Sequence, residues 1–414
     1  MTIPIKRSLG WFPLLLAASL ALGAGAAPAE KWVGTWAASQ QIPEPRNALG
    51  GEDLTDTTLR QVVRISMGGP RIRLRLSNAF GTEPLRLDAV HVARSLGAGT
   101  AAIDPASDRP VLFDGRADVT IPTGSLYVSD PIELPVHSRD TLAISIHIPT
   151  APAQQTGHPG ARTTGYIAKG NQVATPDIVP TRTFERWYNI GGIDVLAGDN
   201  AAAIVVIGDS ITDGNGSTTN RNDRWPDVLA ERLQAEKATR RFSVLNHGIG
   251  GNRLLQDGLG PTALARVDRD VLAQPGVKYL IVLEGVNDLG SLTRDGPAPP
   301  QVHADTVARM IAAYRQIIER CRSQGIKVIG ATILPYGASE YYHPDAAAEA
   351  DRQHINAWIR TPGNFDAVVD FDVLIRDPDH PNRMRKEYDK GDGLHPSAAG
   401  YRAMGEAVPL SLFR

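Results

Sequence analysis

Three residues of this chain could together split an ester: Ser210 in Gly208-Asp209-Ser210, and the pair in Asp392-Gly393-Leu394-His395. A serine hydroxyl attacks a carbonyl only if a base takes its proton. Imidazole suits that task because it titrates near neutral pH and can hand the proton on to a leaving alcohol. Asp392 stands three residues before His395, a spacing that in a helical or turn segment puts both side chains on one side. There a carboxylate would orient the ring and stabilise the imidazolium, the third role in a Ser-His-Asp triad. The competing reading of Ser210 is an N-cap, a position that serine favours.

The element that must position Ser210 is Ala201–Ile207, seven residues without a charge and rich in β-branched side chains. Such a run predicts a strand covered on both faces in a parallel sheet. Open α/β sheets bind ligands at the carboxyl ends of their strands, where this chain delivers its serine between small residues. Two further strings, Asn246-His247-Gly248-Ile249-Gly250-Gly251 and Gly285-Val286-Asn287-Asp288, also lie near predicted strand ends.

With the G-D-S string and the final D-x-x-H, these four motifs over residues 201–414 resemble the SGNH subgroup of the GDSL esterase/lipase family, in the family's order. The resemblance implies a flavodoxin-like three-layer α/β/α domain with Ser210, Asp392 and His395 as catalytic triad. It also implies an oxyanion hole formed by the Ser210 N–H, a glycine N–H and the Asn287 amide. Alignment puts that glycine at Gly251, with Gly250 one residue away as the alternative. In isolation Gly251 reads as a turn glycine and Asn287 as a capping residue. No serine of the chain satisfies G-x-S-x-G, the α/β-hydrolase elbow.

Nine other histidines compete with His395. His247 lies inside the second motif but has no carboxylate three residues away, and His91, His137, His147 and His158 have no serine and acid in a triad-like arrangement. Asp209 and Asp288 read as turn residues that accept backbone N–H bonds. No H-E-x-x-H occurs, and the single cysteine, Cys321, sits on the apolar face of a predicted helix, which excludes a C-x-x-C redox pair. The expectation is an enzyme with no metal and no cofactor.

With 43 basic and 45 acidic residues among 414, nothing points to a nucleic-acid partner. Lys6-Arg7, an apolar stretch from Leu9 to Leu22 and the small-residue run Gly23–Ala29 have the layout of a secretory signal peptide. Export to the periplasm or beyond is expected, without stable membrane insertion.

Residues 30–198 read as an all-β sandwich of jelly-roll type, ahead of an α/β domain over 199–414. Arg71–Leu76 alternates three arginines with three apolar residues, and Thr141–Ile148 turns Leu142, Ile144, Ile146 and Ile148 inward. Other predicted strands are Gln61–Ser66, Leu85–Val92, Val111–Phe113, Ser125–Val128 and Thr163–Ala168. In the second half, helices are predicted around Pro226–Ala235, Ala304–Ser323 and Asp345–Arg360. The loop Gly290–Gln301 and the stretch Asp377–Lys390 adjoin motifs and should border the site.

Together these features point to an exported serine esterase acting on acylated small molecules or polysaccharide. Relatives with a β domain ahead of the G-D-S strand resemble carbohydrate esterases that deacetylate xylan. A broad-specificity carboxylesterase or lysophospholipase is the alternative, and a non-catalytic carbohydrate-binding protein the second.

Overall fold

The charge-free run becomes the strand Ala202–Gly208, buried at every residue, as a position between two hydrogen-bonded neighbours requires. The computed structural model describes Met1, Ile3, Pro4 and residues 30–414. The rest of the predicted signal peptide lies outside the described residues. Lys31–Arg414 form a single unit.

Five parallel strands stand in the order Phe242–Gly248, Ala202–Gly208, Val277–Leu283, Lys327–Ala331, Ala367–Val369. The strand first in sequence lies between the second and third, so the chain winds outward from it in both directions. That reversal opens a crevice at the carboxyl ends of these strands, the place where doubly wound sheets bind ligands. Helices complete a three-layer α/β/α domain. Pro300–Ser323, the longest, begins four residues earlier than predicted because a proline is tolerated in the first turn; it buries Val307, Met310, Tyr314, Ile317, Ile318 and Cys321. It stops at Gly325, whose φ of +71° suits glycine.

The first half is antiparallel, as expected for a β-rich region. One sheet orders Arg182–Phe184, Gly165–Lys169, Thr57–Arg64, Thr141–Ile148, Ala89–Arg94 and Arg109–Pro110; a second orders Trp32–Ala37, Ile190–Leu196, Ile72–Ser77 and Leu126–Val128. Thr141–Ile148 has its predicted ends, yet seven of its eight residues are buried, because it is an inner strand covered on both faces. Val111–Phe113 forms no strand; Phe113 makes only an isolated bridge to Arg116.

The two halves share one hydrophobic core, in which Val33, Leu74 and Ile193 belong with Leu245 and Val205. The parallel sheet's edge strand is covered rather than left open: Val244 N donates to Ser66 Oγ at 3.0 Å, and Ser243 Oγ donates to the Gly34 carbonyl at 2.5 Å. Gly34 has to be small there, since a Cβ would lie 2.8 Å from Leu245 Cδ1. Arg75, read from alternation as outward-facing, is instead buried in this seam, 2.8 Å from Gln274 Oε1 and 3.1 Å from Asp194 Oδ1. Period-2 patterning separates two faces but does not say whether the polar one meets water or another layer of protein. Trp36 is buried edge-on against Trp187, and Trp32 lies under the Arg73 guanidinium. Trp36 is a packing residue, whereas Trp32 is only half-buried.

Candidate active site

Asp209, not Ser210, caps the short helix that follows the first parallel strand, its Oδ1 accepting from Ile211 N at 2.8 Å. Ser210 is thereby the first helical residue, with its hydroxyl free for other work. Gly208 before it admits no side chain, because a Cβ would lie 2.2 Å from Thr212 Oγ1.

Asp392 and His395 sit on a turn. The Asp389 carboxylate accepts from the N–H groups of Gly391, Asp392 and Gly393 at 2.7 to 3.2 Å. Asp392 Oδ1 accepts from the N–H groups of Leu394 and His395 at 3.0 and 2.8 Å, and Oδ2 takes the ring Nδ1–H of His395 at 2.7 Å. The other ring nitrogen, Nε2, faces Ser210 Oγ at 2.8 Å. Ser210 and His395 are each 8% exposed. Partial burial pushes the Asp392 carboxyl upward, but the bonds from the His395 ring and backbone and from Leu394 outweigh it and hold the group well below the usual carboxylate range. It stays ionised, which fixes the tautomer with Nδ1 protonated and Nε2 able to accept.

Asn287 lies on the short helix Val286–Gly290 and is buried. Its Nδ2 donates to the Asn252 carbonyl at 2.8 Å and its Oδ1 accepts from Tyr342 Oη at 2.6 Å. Those two bonds fix the amide plane and leave one N–H for a ligand. Gly251, at φ +69°, immediately precedes the residue whose carbonyl Asn287 holds, so the second and third motifs are tied together. Gly250 lies on the other side of that turn, where a Cβ would be 3.7 Å from Asp213 Oδ2. Among the described residues, neither Ser210 N–H nor Gly251 N–H has a protein acceptor. Tyr342 and Asp389 carry no sign of their roles in the sequence, for neither belongs to a motif.

Residues 206–403 match the model of the GDSL-like Lipase/Acylhydrolase family. This part of the chain is similar to GDSL-like acylhydrolases. Similar solved structures include a GDSL-like lipase from Bacteroides thetaiotaomicron, 20% identical, covering 51% of this chain and 87% of its own, with a TM-score of 0.37. An acetylxylan esterase variant from Geobacillus stearothermophilus is 20% identical over 51% of this chain and 94% of its own, TM-score 0.37. A further acetyl xylan esterase is 20% identical over 51% and 100%, TM-score 0.38. No curated protein matches the chain.

Behind Gly208-Asp209-Ser210 lies a buried charged cluster. Arg266 donates to Asn252 Oδ1, to the Gly208 and His247 carbonyls, and to Asp270 and Glu284. One guanidinium thus holds the carbonyl just before Asp209-Ser210 and the side chain of the residue bonded to Asn287. Burial pushes Asp209 up to about 7, against the bond from Ile211 N–H, and raises Glu284 well above its usual value. Burial also lifts Asp288 to about 6, against the bonds it accepts from Leu254 and Leu255 N–H. Both aspartates accept backbone N–H groups, as read from sequence. His247 is pushed down to about 3 by burial and faces Ser39 Oγ at 3.0 Å, away from Ser210. Among the described residues no group of three or more His, Cys, Asp or Glu side chains is arranged to hold a metal ion.

The β-rich half reaches this domain directly. His158 Nε2 is 2.9 Å from Asp213 Oδ1, at the end of the helix that Ser210 begins, and its Nδ1 is 2.9 Å from the Ser39 carbonyl oxygen. Its ring stacks on Trp187. His91, His137 and His147 likewise stand by Asp108, Asp140 and Asp56. All four histidines have acidic neighbours, three of them beyond the range of local spacing, yet none is bonded to a serine hydroxyl.

Proposed function

We propose that this protein is an exported serine esterase that hydrolyses carboxylic esters through Ser210, His395 and Asp392. The observation that carries the reading is the continuous chain of bonds from Ser210 Oγ to His395 Nε2 at 2.8 Å and from His395 Nδ1 to Asp392 Oδ2 at 2.7 Å. In the first step His395 Nε2 takes the hydroxyl proton while Oγ bonds to the acyl carbon. Asp392 remains a carboxylate and stabilises the imidazolium. The carbonyl oxygen, now negative, meets N–H groups whose directions are set before the charge develops: Asn287 Nδ2, Gly251 N and Ser210 N. When the tetrahedral adduct collapses, the imidazolium gives its proton to the departing alcohol. Water then repeats the sequence on the acyl-enzyme and frees the acid.

The substrate reading is an acetylated plant polysaccharide such as xylan, which rests on the resemblance of chains with a β domain ahead of the G-D-S strand to carbohydrate esterases. The rival is a broad-specificity carboxylesterase or lysophospholipase. Acetate release from acetylated xylan, set beside hydrolysis of aryl esters of increasing acyl length, separates them. A steep loss beyond acetyl with release from xylan supports the first; equal or rising rates on long acyl chains would replace it with the second.

A further inference from the structure

His395 Nε2 has a second neighbour that the triad does not use. Asn215 Nδ2 lies 3.2 Å from it. Lys390 Nζ stands 2.8 Å from Asn215 Oδ1 and 3.1 Å from Asp392 Oδ2, the oxygen that also holds the imidazole. An ammonium only donates, so the amide must turn its oxygen to Lys390 and its NH₂ to the ring. The backbone is fixed as firmly. Asn215 N donates to the Ser210 carbonyl at 2.8 Å, and the buried Tyr401 Oη donates to the Asn215 carbonyl at 2.8 Å. Glycines at positive φ flank it, Gly214 at +97° and Gly216 at +109°. A part-buried amide N–H is therefore aimed at the one point through which every proton of the reaction passes.

We propose that Asn215, oriented by Lys390, receives the oxygen of the departing alcohol and then of the incoming water beside His395 Nε2. This rests on the serine-esterase reading above. In the acyl-enzyme Ser210 Oγ is esterified and no longer donates to Nε2. A water within reach of Nε2 then also lies within reach of Asn215 Nδ2–H. Accepting that bond with one lone pair, it points a proton at Nε2 and another lone pair at the acyl carbon. On attack the water oxygen bonds to the carbon and Nε2 takes the proton; the C–Oγ bond then breaks with its electron pair on Oγ, which recovers that proton from Nε2 as the acid leaves. Asn215 contacts the reacting oxygen, and Lys390 is a positioning residue.

An aryl acetate tests this, since a phenolate leaves without needing a proton and acylation is spared. Asn215→Ala should lower steady-state turnover about tenfold, the worth of one well-placed hydrogen bond, and expose a burst of one phenolate per Ser210 because deacylation becomes limiting. Asn215→Asp keeps the shape but loses the N–H, and should do the same. Lys390→Met should give a smaller loss of the same kind that Lys390→Arg restores. Unfolding midpoints close to that of the parent show that each variant is folded. Labelling of Ser210 by a fluorophosphonate keeps the two readings apart. Failure to label the parent overturns the serine-esterase reading. Normal labelling with unchanged turnover in Asn215→Ala, or full activity in Asn215→Asp, overturns the role of Asn215.

Discussion

The two halves of the molecule place the same residue types in opposite ways. In the α/β half, polar groups gather at the carboxyl ends of parallel strands: Ser210, Gly251 and Asn287 follow three of them, and the Asp392–His395 turn closes over the first. In the β-rich half, Ser39, Arg75 and His158 are as buried as the apolar residues around them and point into the seam between the halves. One half presents its chemistry at the carboxyl edge of its sheet while the other uses it to bind the two halves together. A serine or histidine thus acquires its meaning from the edge of the sheet on which it stands.

The largest expected effect derives from this contrast. If Ser210, His395 and Asp392 form the proposed triad, whose members would act as one unit, Ser210→Ala and His395→Ala should each lower kcat by about 10⁴-fold or more, and Asp392→Asn by a comparable factor. Removing His91, bonded to Asp108 in the β-rich half, should leave kcat unchanged. Turnover of an aryl acetate by folded variants checks both. A His91→Ala variant as inactive as His395→Ala would break the division between the halves.

Next in size is the proposed oxyanion donor. Asn287→Ala should lower kcat by roughly 10²–10³ with little change in KM, the cost of losing one preorganised donor. Tyr342→Phe, which leaves Asn287 Oδ1 unpaired, should act in the same direction by less. If KM rose instead at constant kcat, Asn287 would bind substrate rather than the transition state.

What can be read from sequence depends on the range of the forces involved. Ala201–Ile207 and the helix from Pro300 are legible because burial and turn chemistry act over neighbouring residues. So is the Asp392–His395 pair, held within one turn. Asn215, Lys390 and Tyr342 are not legible, since each gains its place from contacts 55 to 186 residues away in sequence. Arg75 misleads because an alternating strand that faces a polar seam is written like one that faces water. His158 gives no local sign because its aspartate lies 55 residues on.

That seam supplies the third prediction. His158→Ala leaves the buried Asp213 carboxylate without its ring partner, which should cost about 1–3 kcal/mol of stability. Because Asp213 ends the helix that Ser210 begins, kcat should fall as well, by about tenfold. Urea unfolding and aryl acetate turnover, measured beside His91→Ala, sharpen the comparison. Equal and small effects of the two substitutions would mean that the β-rich half does not support the site through His158.

The smallest effect concerns pH and the second buried histidine. His247 belongs to the α/β half but faces Ser39 of the other, and burial pushes its ring down to about 3. Released on unfolding, it protonates near its ordinary value of about 6.5. Between those values the unfolded chain binds a proton that the folded chain refuses, so this group's contribution is complete above about 6.5 and shrinks as pH falls toward 3, by at most about 1.4 kcal/mol per pH unit. Asp209 and Asp288 act in the opposite sense, for their raised values of about 7 and about 6 favour the folded state as the pH falls toward the unfolded carboxylate range near 4. The total acid profile therefore mixes both, and only a difference isolates the histidine. His247→Gln should lose less stability than the parent between pH 7 and pH 4 in urea unfolding, whatever its stability at pH 7. Parallel profiles for the two proteins would show that His247 is protonated alike in the folded and unfolded chains, and that the seam at Ser39 admits a charge.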